Sequence, residues 1–264
     1  MHIDLKDKRA VVSGSTAGIG LGIARGLAAA GAHVVVNGRS RDRVDYAIAD
    51  IKRTVPSALL SGVAADLATA AGAASLVAQV EDADILVNNV GTATPKPFAE
   101  LTDEDWRSLF DLNVMSGVRL TRHYLPGMVE RGWGRVVFIS SESALNIPKE
   151  MIHYGMTKTA QLAVSRGVAE SVAGTGVTVN AVLPGPTRSE LLLNWLGPKA
   201  KQTGKSLEEV EQDFLSANRP TSLIKRLAST EEVANMVVYV CSQQASATTG
   251  AALRVDGGVV RSIG

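Results

Sequence analysis

The chain has little cysteine, little net charge and no long apolar run. Its 264 residues include one cysteine, Cys241, which excludes an internal disulfide framework and a cysteine-rich metal site. The net charge of +1 offers no general attraction for nucleic acid or anionic lipid. No apolar stretch is long enough to span a membrane, and the opening segment MHIDLKDKRA lacks the apolar core of a secretory signal. We therefore expect a cytoplasmic protein with no nucleic-acid, membrane or metal partner.

Short apolar runs alternate with longer helical stretches along the whole chain. The runs predict strands at 9–13, 33–37, 59–64, 85–88, 135–140, 177–183 and 251–255. The stretches between them predict helices at 18–31, 41–54, 68–81, 102–131, 150–174 and 229–242. This order predicts an α/β fold, a doubly wound, Rossmann-type, seven-stranded parallel sheet with helices on both faces. Because no repeat or linker interrupts it, we expect residues 1–264 to form a single domain.

The alternation breaks at an insertion of about residues 188–222. It is longer than an ordinary connection and contains short helical patterns at 191–196 and 207–217. Long insertions of this kind often act as lids or binding loops, and Gly185, Gly197 and Gly204 would let it move. A merely structural helical excursion is the alternative.

A glycine-rich segment follows the first predicted strand and opens the first predicted helix. It reads Ser13-Gly14-Ser15-Thr16-Ala17-Gly18-Ile19-Gly20. Glycines at such a turn allow the backbone to approach a pyrophosphate, which then sits at the helix N-terminus. The segment therefore predicts a dinucleotide site.

The second predicted strand ends without the acidic residue that would bind the adenosine ribose of NAD. Gly38 and Arg39 stand there instead, followed by Ser40. A guanidinium suits the 2′-phosphate of NADP, so NADP(H) is favoured and NAD(H) stays open as the alternative. Arg41 and Arg43 are equally compatible with solvated positions on the following helix. Further along, Asp66 and the Asn88-Asn89-Val90-Gly91 segment follow the third and fourth strands, where ligands of open sheets bind.

Tyr154 and Lys158 form a Y-x-x-x-K pair, and Ser141 lies thirteen positions before the tyrosine. A spacing of four places both side chains on one helix face. An ammonium beside a phenol favours the phenolate, so we expect the pKa of Tyr154 to fall from ~10 towards neutrality. Such a phenol exchanges a proton with a substrate oxygen, which Ser141 could also hydrogen-bond.

Together these motifs resemble those of the short-chain dehydrogenase/reductase family, over essentially the whole chain. The family's glycine-rich turn matches Ser13 to Gly20, its N-N-A-G matches Asn88 to Gly91 with Val90 for alanine, and its helix asparagine matches Asn113. Its P-G motif matches Pro184-Gly185. Among its branches, the chain is similar to 3-oxoacyl-carrier-protein reductases and 3-hydroxybutyrate dehydrogenases.

The resemblance implies a single dinucleotide-binding catalytic domain and a set of catalytic residues. Tyr154 would be the acid/base, Ser141 would polarise the carbonyl, and Lys158 would bind the nicotinamide ribose. Asn113 would hold a water that links Lys158 to solvent. The residues expected to hold the cofactor are Gly14, Ser15, Thr16, Gly18, Ile19, Gly20, Arg39, Ser40, Asp66, Leu67, Asn89, Val90, Gly91, Tyr154, Lys158, Pro184, Gly185, Thr187 and Ser189.

The expected activity is interconversion of a carbonyl and a secondary alcohol, with a homotetramer implied by the resemblance. A pocket lined by Ser143, Leu145, Ile147, Met151, Leu191, Leu192, Trp195 and Leu196 would suit a hydrophobic or medium-sized substrate. Glu142 is either a pocket carboxylate or a surface charge. A 3-oxoacyl-carrier-protein reductase, with Arg131 and Arg135 as docking residues, is the first alternative. An NAD-dependent hydroxy-acid or alcohol dehydrogenase and a non-catalytic dinucleotide-binding regulator are the others.

Overall fold

One parallel sheet of seven strands forms the centre of the computed structural model, which describes residues 2–263. Its order is β3-β2-β1-β4-β5-β6-β7. The predicted strands agree with the observed ones to within one residue at each end, and the predicted fold class is confirmed. The strands are β1 (Arg9–Val12), β2 (His33–Gly38), β3 (Leu60–Ala64), β4 (Ile85–Asn88), β5 (Gly134–Ile139), β6 (Val177–Pro184) and β7 (Ala252–Val255).

Nine α-helices in the described part of the chain connect and cover these strands. They are α1 (Gly18–Ala29), α2 (Arg41–Thr54), α3 (Ala70–Gln79), α4 (Asp103–Phe110), α5 (Ser116–Glu130), α6 (Ile152–Ser171), α7 (Glu190–Thr203), α8 (Leu207–Asn218) and α9 (Thr230–Val240). The helix predicted at 102–131 is interrupted by a π turn, Asp111–Met115, in which the Ser116 N–H donates to the carbonyl of Asp111. The apolar periodicity of the sequence does not reveal this turn. Within residues 2–263, no helix is both long and apolar enough to cross a membrane.

Two hydrophobic layers enclose the sheet, one on each face. Along β2, Val34 and Val36 pack on one layer with α1, α2 and α9, whereas Val35 packs on the other with α3 and α5. Successive strand side chains point to opposite faces, so a strand between two layers must be apolar throughout. This requirement is why the strands read as continuous apolar runs.

The strand order reverses between β1 and β4. The chain runs outward from β1 through β2 to β3, and then crosses to β4 on the other side of β1. Helices leave the sheet in opposite directions on the two sides of this point, so a crevice opens beyond the carboxyl ends of β1 and β4. The glycine-rich turn after β1 and the Asn89–Gly91 segment after β4 both lie at that crevice.

The insertion contains α7 and α8, which pack on each other around a separate apolar cluster. Leu192, Leu196, Val210, Leu215 and Leu227 are its buried members. Two of the three glycines expected to give the insertion mobility do not act as hinges. Gly197 lies inside α7, and a Cβ at Gly185 would be 2.6 Å from the carbonyl oxygen of Asp256, so that backbone is tightly packed.

Candidate functional site

The glycine-rich turn is shaped by close backbone contacts. Gly14 and Gly18 have φ values of 62° and 56°, which side chains rarely tolerate. A Cβ at Gly20 would lie 2.4 Å from both the Gly14 carbonyl oxygen and Asn89 Nδ2. Helix α1 begins at Gly18 with no side-chain cap and no acidic residue in its first turn. Its first N–H groups are therefore available to an anion such as a pyrophosphate.

Several side chains brace this turn from beneath. Asn89 Nδ2 donates to the carbonyls of Ser13 and Gly14, at 3.0 Å each, and the Gly14 N–H donates to Asn37 Oδ1 at 3.1 Å. Ser15 is fully buried; its hydroxyl donates to the Val12 carbonyl and its N–H to the Asn37 carbonyl. Both donors of Ser15 therefore form hydrogen bonds inside the turn. Ser15 stabilises the turn and does not offer a donor to the crevice.

Three arginines follow β2, and their surroundings differ. Arg41 pairs with Asp45 at 2.9 Å, and Arg43 pairs with Glu190 at 3.1 Å. Arg39 is exposed, and within residues 2–263 its guanidinium makes no recorded hydrogen bond or ion pair. Of the three, Arg39 is therefore the one whose charge is available to a ligand phosphate.

The remaining predicted cofactor residues lie around the same crevice. Ser40 and Ser189 cap the starts of α2 and α7, and a Cβ at Gly18 would lie 3.4 Å from Ser189 Cβ. Asp66 follows β3, is exposed, and accepts the N–H of Ala68 with one carboxylate oxygen at 3.1 Å. Among the others, Thr16 packs against Gly38 and Val90 lies beside Gly14. Ile19 is half-buried and Leu67 is buried. Pro184, Gly185 and Thr187 lie at the end of β6 and just after it.

Ser141, Tyr154 and Lys158 meet at the carboxyl end of β5. Lys158 is 4% exposed, and its Nζ lies 5.6 Å from the centre of the Tyr154 ring. Nζ donates to the Ile139 carbonyl at 2.9 Å and to Gln161 Oε1 at 3.1 Å. A Cβ at Gly91 would lie 3.3 Å from Nζ, so the glycine leaves this side of the ammonium open. Hydrogen bonding by Ser141 is the main influence that opposes the rise in the pKa of Tyr154.

The protonation of this pair differs from the sequence-based expectation. Burial raises the pKa of Tyr154 to about 12, and the hydrogen bond with Ser141 only partly opposes it. Burial also lowers the pKa of Lys158 to about 7. Burial makes the charged form of each group less favourable, which raises the pKa of the phenol and lowers that of the amine. Tyr154 is therefore a neutral phenol at neutral pH, and the predicted fall of its pKa is wrong.

Asn113 occupies the π turn and is fully buried. Its side chain donates to the Thr92 carbonyl and to Thr157 Oγ1, at 3.0 Å each, and accepts the N–H of Thr92 at 2.9 Å. Its own carbonyl accepts Gln161 Nε2 at 2.6 Å. The resemblance implies a water between Asn113 and Lys158, and the structure places the Gln161 side chain between them. Gln161 was not predicted, although a polar residue one turn after Lys158 on the same helix face was a usable clue.

Glu142 and Arg219 form a buried ion pair directly behind Ser141. Glu142 is 3% exposed, and its Oε1 accepts Arg219 Nε at 2.5 Å. Its Oε2 accepts the hydroxyl of Ser143 at 2.5 Å and that of Ser141 at 3.4 Å. Glu142 is therefore neither a surface charge nor an isolated pocket carboxylate. The pair joins the segment after β5 to the end of α8, and its net charge is zero.

Two neighbours of the Ser141, Tyr154 and Lys158 group have structural positions. Ser140 Oγ donates to the Lys158 carbonyl at 2.8 Å, which ties β5 to α6. His153 is buried and packs edge-on against Trp106, with its ring centre 6.0 Å away. Neither side chain faces Ser141, as the strand and helix geometry of the sequence predicts.

The expected apolar pocket is only partly present. Leu192 and Leu196 belong to the separate cluster of the insertion, so their side chains pack within it. Leu145, Ile147 and Leu191 are between 43% and 47% exposed. Of the polar groups next to Ser141, Glu142 and Ser143 were considered from the sequence, whereas Arg219 was not.

The two arginines expected to dock an acidic carrier protein are both engaged within the fold. Arg135 is 1% exposed and donates to the carbonyls of Ser242, Gly134 and Gly176. Arg131 pairs with Asp82 at 3.1 Å and donates to the carbonyl of Ala83. Arg135 is unavailable to a partner, and this part of the prediction is wrong.

Comparison with known proteins places this geometry among oxidoreductases. A family model described as enoyl-(acyl carrier protein) reductase matches residues 14–260. The chain is 46% identical to the uncharacterized oxidoreductase YvaG of Bacillus subtilis, with both chains covered completely. It is 31% identical to a 3-oxoacyl-[acyl-carrier-protein] reductase of Aquifex aeolicus over 98% of this chain and 100% of that one. L-sorbose reductase of Gluconobacter frateurii, solved with NADPH and L-sorbose, superposes with a TM-score of 0.93 at 34% identity, over the full length of both.

Proposed function

The chain belongs to the short-chain dehydrogenase/reductase family of oxidoreductases, and we propose that it uses NADP(H) to interconvert a carbonyl compound and a secondary alcohol. The arrangement of Ser141, Tyr154 and buried Lys158 supports this proposal most directly. We propose that the whole chain acts as a single dinucleotide-binding catalytic domain.

In this proposal Tyr154 is the general acid of carbonyl reduction. Its raised pKa of about 12 keeps the phenol protonated at neutral pH, ready to donate a proton to the carbonyl oxygen. Ser141 donates a second hydrogen bond to the same oxygen, and its position is fixed by the Ser143 N–H, which it accepts at 3.1 Å. The ammonium of Lys158 stabilises the phenolate left behind. When bound, NADPH supplies the hydride that the carbonyl carbon receives.

The glycine-rich turn and Arg39 would hold the cofactor. A side chain at Gly14 would collide with Val90, and one at Gly20 with Asn89 and the Gly14 carbonyl, so the glycines allow the tight turn that places backbone N–H groups at the start of α1. Arg39 is the unpaired arginine at the end of β2 and would bind the 2′-phosphate. The NADPH complex of L-sorbose reductase supports the same choice of cofactor.

The substrate we propose is an uncharged carbonyl compound that also offers hydrogen-bonding groups. The Glu142–Arg219 pair places polar groups without net charge beside Ser141. A substrate carboxylate would gain no unpaired cation there, whereas hydroxyl groups can pair with polar side chains. A polyhydroxylated ketone of the L-sorbose type fits this description better than the purely hydrophobic carbonyl expected from the sequence.

Reduction of a 3-oxoacyl group on a carrier protein is the second candidate. The similarity to the Aquifex aeolicus reductase favours it. Burial of Arg135 and the ion pair of Arg131 remove the two cations expected to dock the carrier. A 3-oxoacyl thioester without carrier protein should therefore be included among the test substrates.

A substrate panel with purified protein tests the proposal. NADPH loss would be followed with L-sorbose and other ketoses, sugar acids, aliphatic ketones and a 3-oxoacyl thioester. We expect consumption with at least one neutral ketone and a rate at least ~100-fold lower for Tyr154→Phe, because a general acid typically contributes 10²–10⁴-fold. Equal rates for the wild type and Tyr154→Phe would overturn the assigned mechanism.

A further inference from the structure

Gln161 connects the buried lysine of the site to the π turn. It lies on α6 one turn after Lys158 and is 2% exposed. Its Oε1 accepts Lys158 Nζ at 3.1 Å, and its Nε2 donates to the carbonyl of Asn113 at 2.6 Å. The side-chain amide of Gln161 therefore connects the Lys158 ammonium to the main chain of the π turn.

The orientation of this amide follows from the chemistry of its partners. An ammonium only donates hydrogen bonds and a carbonyl oxygen only accepts them. The oxygen of Gln161 must therefore face Lys158, and its nitrogen must face Asn113. In the reversed amide, the NH₂ group would face the Lys158 ammonium and the oxygen would face the Asn113 carbonyl. Donor would then meet donor, and acceptor would meet acceptor, in a buried site.

The carbonyl of Asn113 is in an unusual position because it belongs to the π turn. The wider turn gives side-chain donors access to helix carbonyls, and the hydroxyl of Ser116 also donates to the Leu112 carbonyl at 2.5 Å. Gln161 provides the corresponding donor for Asn113. Any residue without an N–H at this place would remove the side-chain donor to the Asn113 carbonyl.

We propose that Gln161 is a positioning residue of the active site, occupying the place between Asn113 and Lys158 where the family resemblance implies a water. It fixes the Lys158 ammonium against Tyr154 and favours its charged form. The role of Gln161 in catalysis rests on the proposed function, but its hydrogen bonds with Lys158 and Asn113 do not.

Few ionisable groups act at this centre, so a change at Gln161 has an interpretable effect. Glu142, from the segment after β5, and Arg219, from the end of α8, both act on Tyr154. Burial alone lowers the pKa of Lys158 to about 7. Lys158 donates hydrogen bonds to Gln161 Oε1 and to the Ile139 carbonyl, and these bonds favour the charged form of the lysine against the effect of burial.

Titration of Lys158 in the protein without nucleotide tests the inference. Lysine labelled with ¹³C at Cε reports each ammonium by its chemical shift, and Lys158→Met assigns the resonance. The variants are Gln161→Met, which keeps the length but has no hydrogen-bonding group, and Gln161→Glu, which keeps an acceptor and adds charge. Ser165→Ala is the matched control, because Ser165 lies one turn further along α6, is buried and has a hydroxyl with no partner within residues 2–263.

We expect the Lys158 midpoint to fall by about one pH unit in Gln161→Met, the size of a lost hydrogen bond to a charged group. It should rise in Gln161→Glu and stay unchanged in Ser165→Ala. A folded Gln161→Met with the wild-type midpoint would overturn the inference. If that variant does not fold, Gln161→Glu decides in the same way, since an unchanged midpoint there would also overturn it.

NADPH titrations of the same variants, followed by fluorescence, separate this inference from the proposed function. Absence of NADPH binding by the wild type would contradict the proposed function while leaving the Lys158 titration valid. If the wild type binds NADPH, we expect Gln161→Met to bind more weakly above neutral pH, where Lys158 has lost its charge, and Ser165→Ala to bind as the wild type does. Equal NADPH affinity of Gln161→Met and the wild type at every pH would count against a positioning role.

Discussion

At the residue scale, Arg39 is the side chain on which cofactor choice depends. Replacing it with aspartate removes the cation and introduces the acidic group that binds a ribose hydroxyl. We expect Arg39→Asp to lose NADPH affinity by ~10–100-fold, since a hydrogen bond to a charged group is worth ~1.5–3 kcal/mol. NADH affinity should be retained or improved. Fluorescence titration with both nucleotides measures the change.

Arg41→Ala is the matched control for this substitution. Arg41 stands two residues away, but its guanidinium already pairs with Asp45 and the Gly62 carbonyl. Its removal should change NADPH affinity by less than about threefold. If Arg41→Ala weakens binding as much as Arg39→Asp does, the distinction between the paired and unpaired arginines fails.

The Glu142–Arg219 pair makes a second prediction at this scale. Removing one partner of a buried pair leaves an uncompensated charge, so Glu142→Ala should lower the free energy of unfolding by ~3–5 kcal/mol. Arg219 is 8% exposed, and among residues 2–263 its other carboxylate partner is Glu150, at 3.7 Å. Urea unfolding measures the loss. The double variant Glu142→Leu with Arg219→Met should be more stable than Glu142→Ala, because it leaves no buried charge unpaired.

The sequence named the residues that we propose to be catalytic, but it did not reveal the ion pair beside them. Ser141, Tyr154 and Lys158 could be identified from their spacing. Spacing determines position here because the residues lie at the end of a strand and on one helix. Glu142 and Arg219 are 77 residues apart, and their pairing depends on how the insertion folds back onto β5. The expected pKa of Tyr154 was wrong for the same reason, because the burial of a side chain depends on the whole fold.

At the element scale, the strands were predictable because burial on both faces imposes a continuous apolar composition. The π turn between α4 and α5 was not, because its hydrogen bonds shift by one residue without changing the apolar pattern. Its consequence is functional, since it presents the Asn113 carbonyl to Gln161. The two short helical patterns of the insertion lie within α7 and α8, but Leu192 and Leu196, which were assigned to the pocket, pack in the cluster of the insertion.

The turn between β1 and α1 makes the prediction that belongs to this scale. In Gly20→Ala, the new methyl group would lie 2.4 Å from the Gly14 carbonyl oxygen and Asn89 Nδ2, so the turn must open. We expect NADPH affinity to fall more than tenfold and the free energy of unfolding to fall by ~1–3 kcal/mol, as for other overpacked sites. Gly197→Ala on α7 is the control, because a Cβ there meets nothing within 4 Å. Unchanged NADPH affinity in Gly20→Ala would contradict a cofactor cradle at this turn.

At the scale of the whole molecule, the sheet and its two layers leave the outer faces of α5 and α6 uncovered in a single chain. The family resemblance implies a homotetramer in which these helices pack against symmetry mates. Gly167 lies on the exposed side of α6, and a Cβ there would meet nothing within 4 Å. A glycine at such a place allows a second helix to approach closely. We therefore propose that this face of α6 is an interface between copies of the chain.

Sedimentation of the wild type and of Gly167→Glu tests this arrangement. In an isolated chain the new carboxylate would remain in water and cost little. In a packed interface it would be desolvated without a partner, which costs several kcal/mol and shifts the equilibrium towards smaller species. We expect the wild type to sediment as a tetramer and Gly167→Glu as a dimer or monomer with native circular dichroism, while Gly197→Glu on α7 stays tetrameric. A tetrameric Gly167→Glu would show that the copies associate through another surface, because no interface built on α6 could bury that charge unpaired.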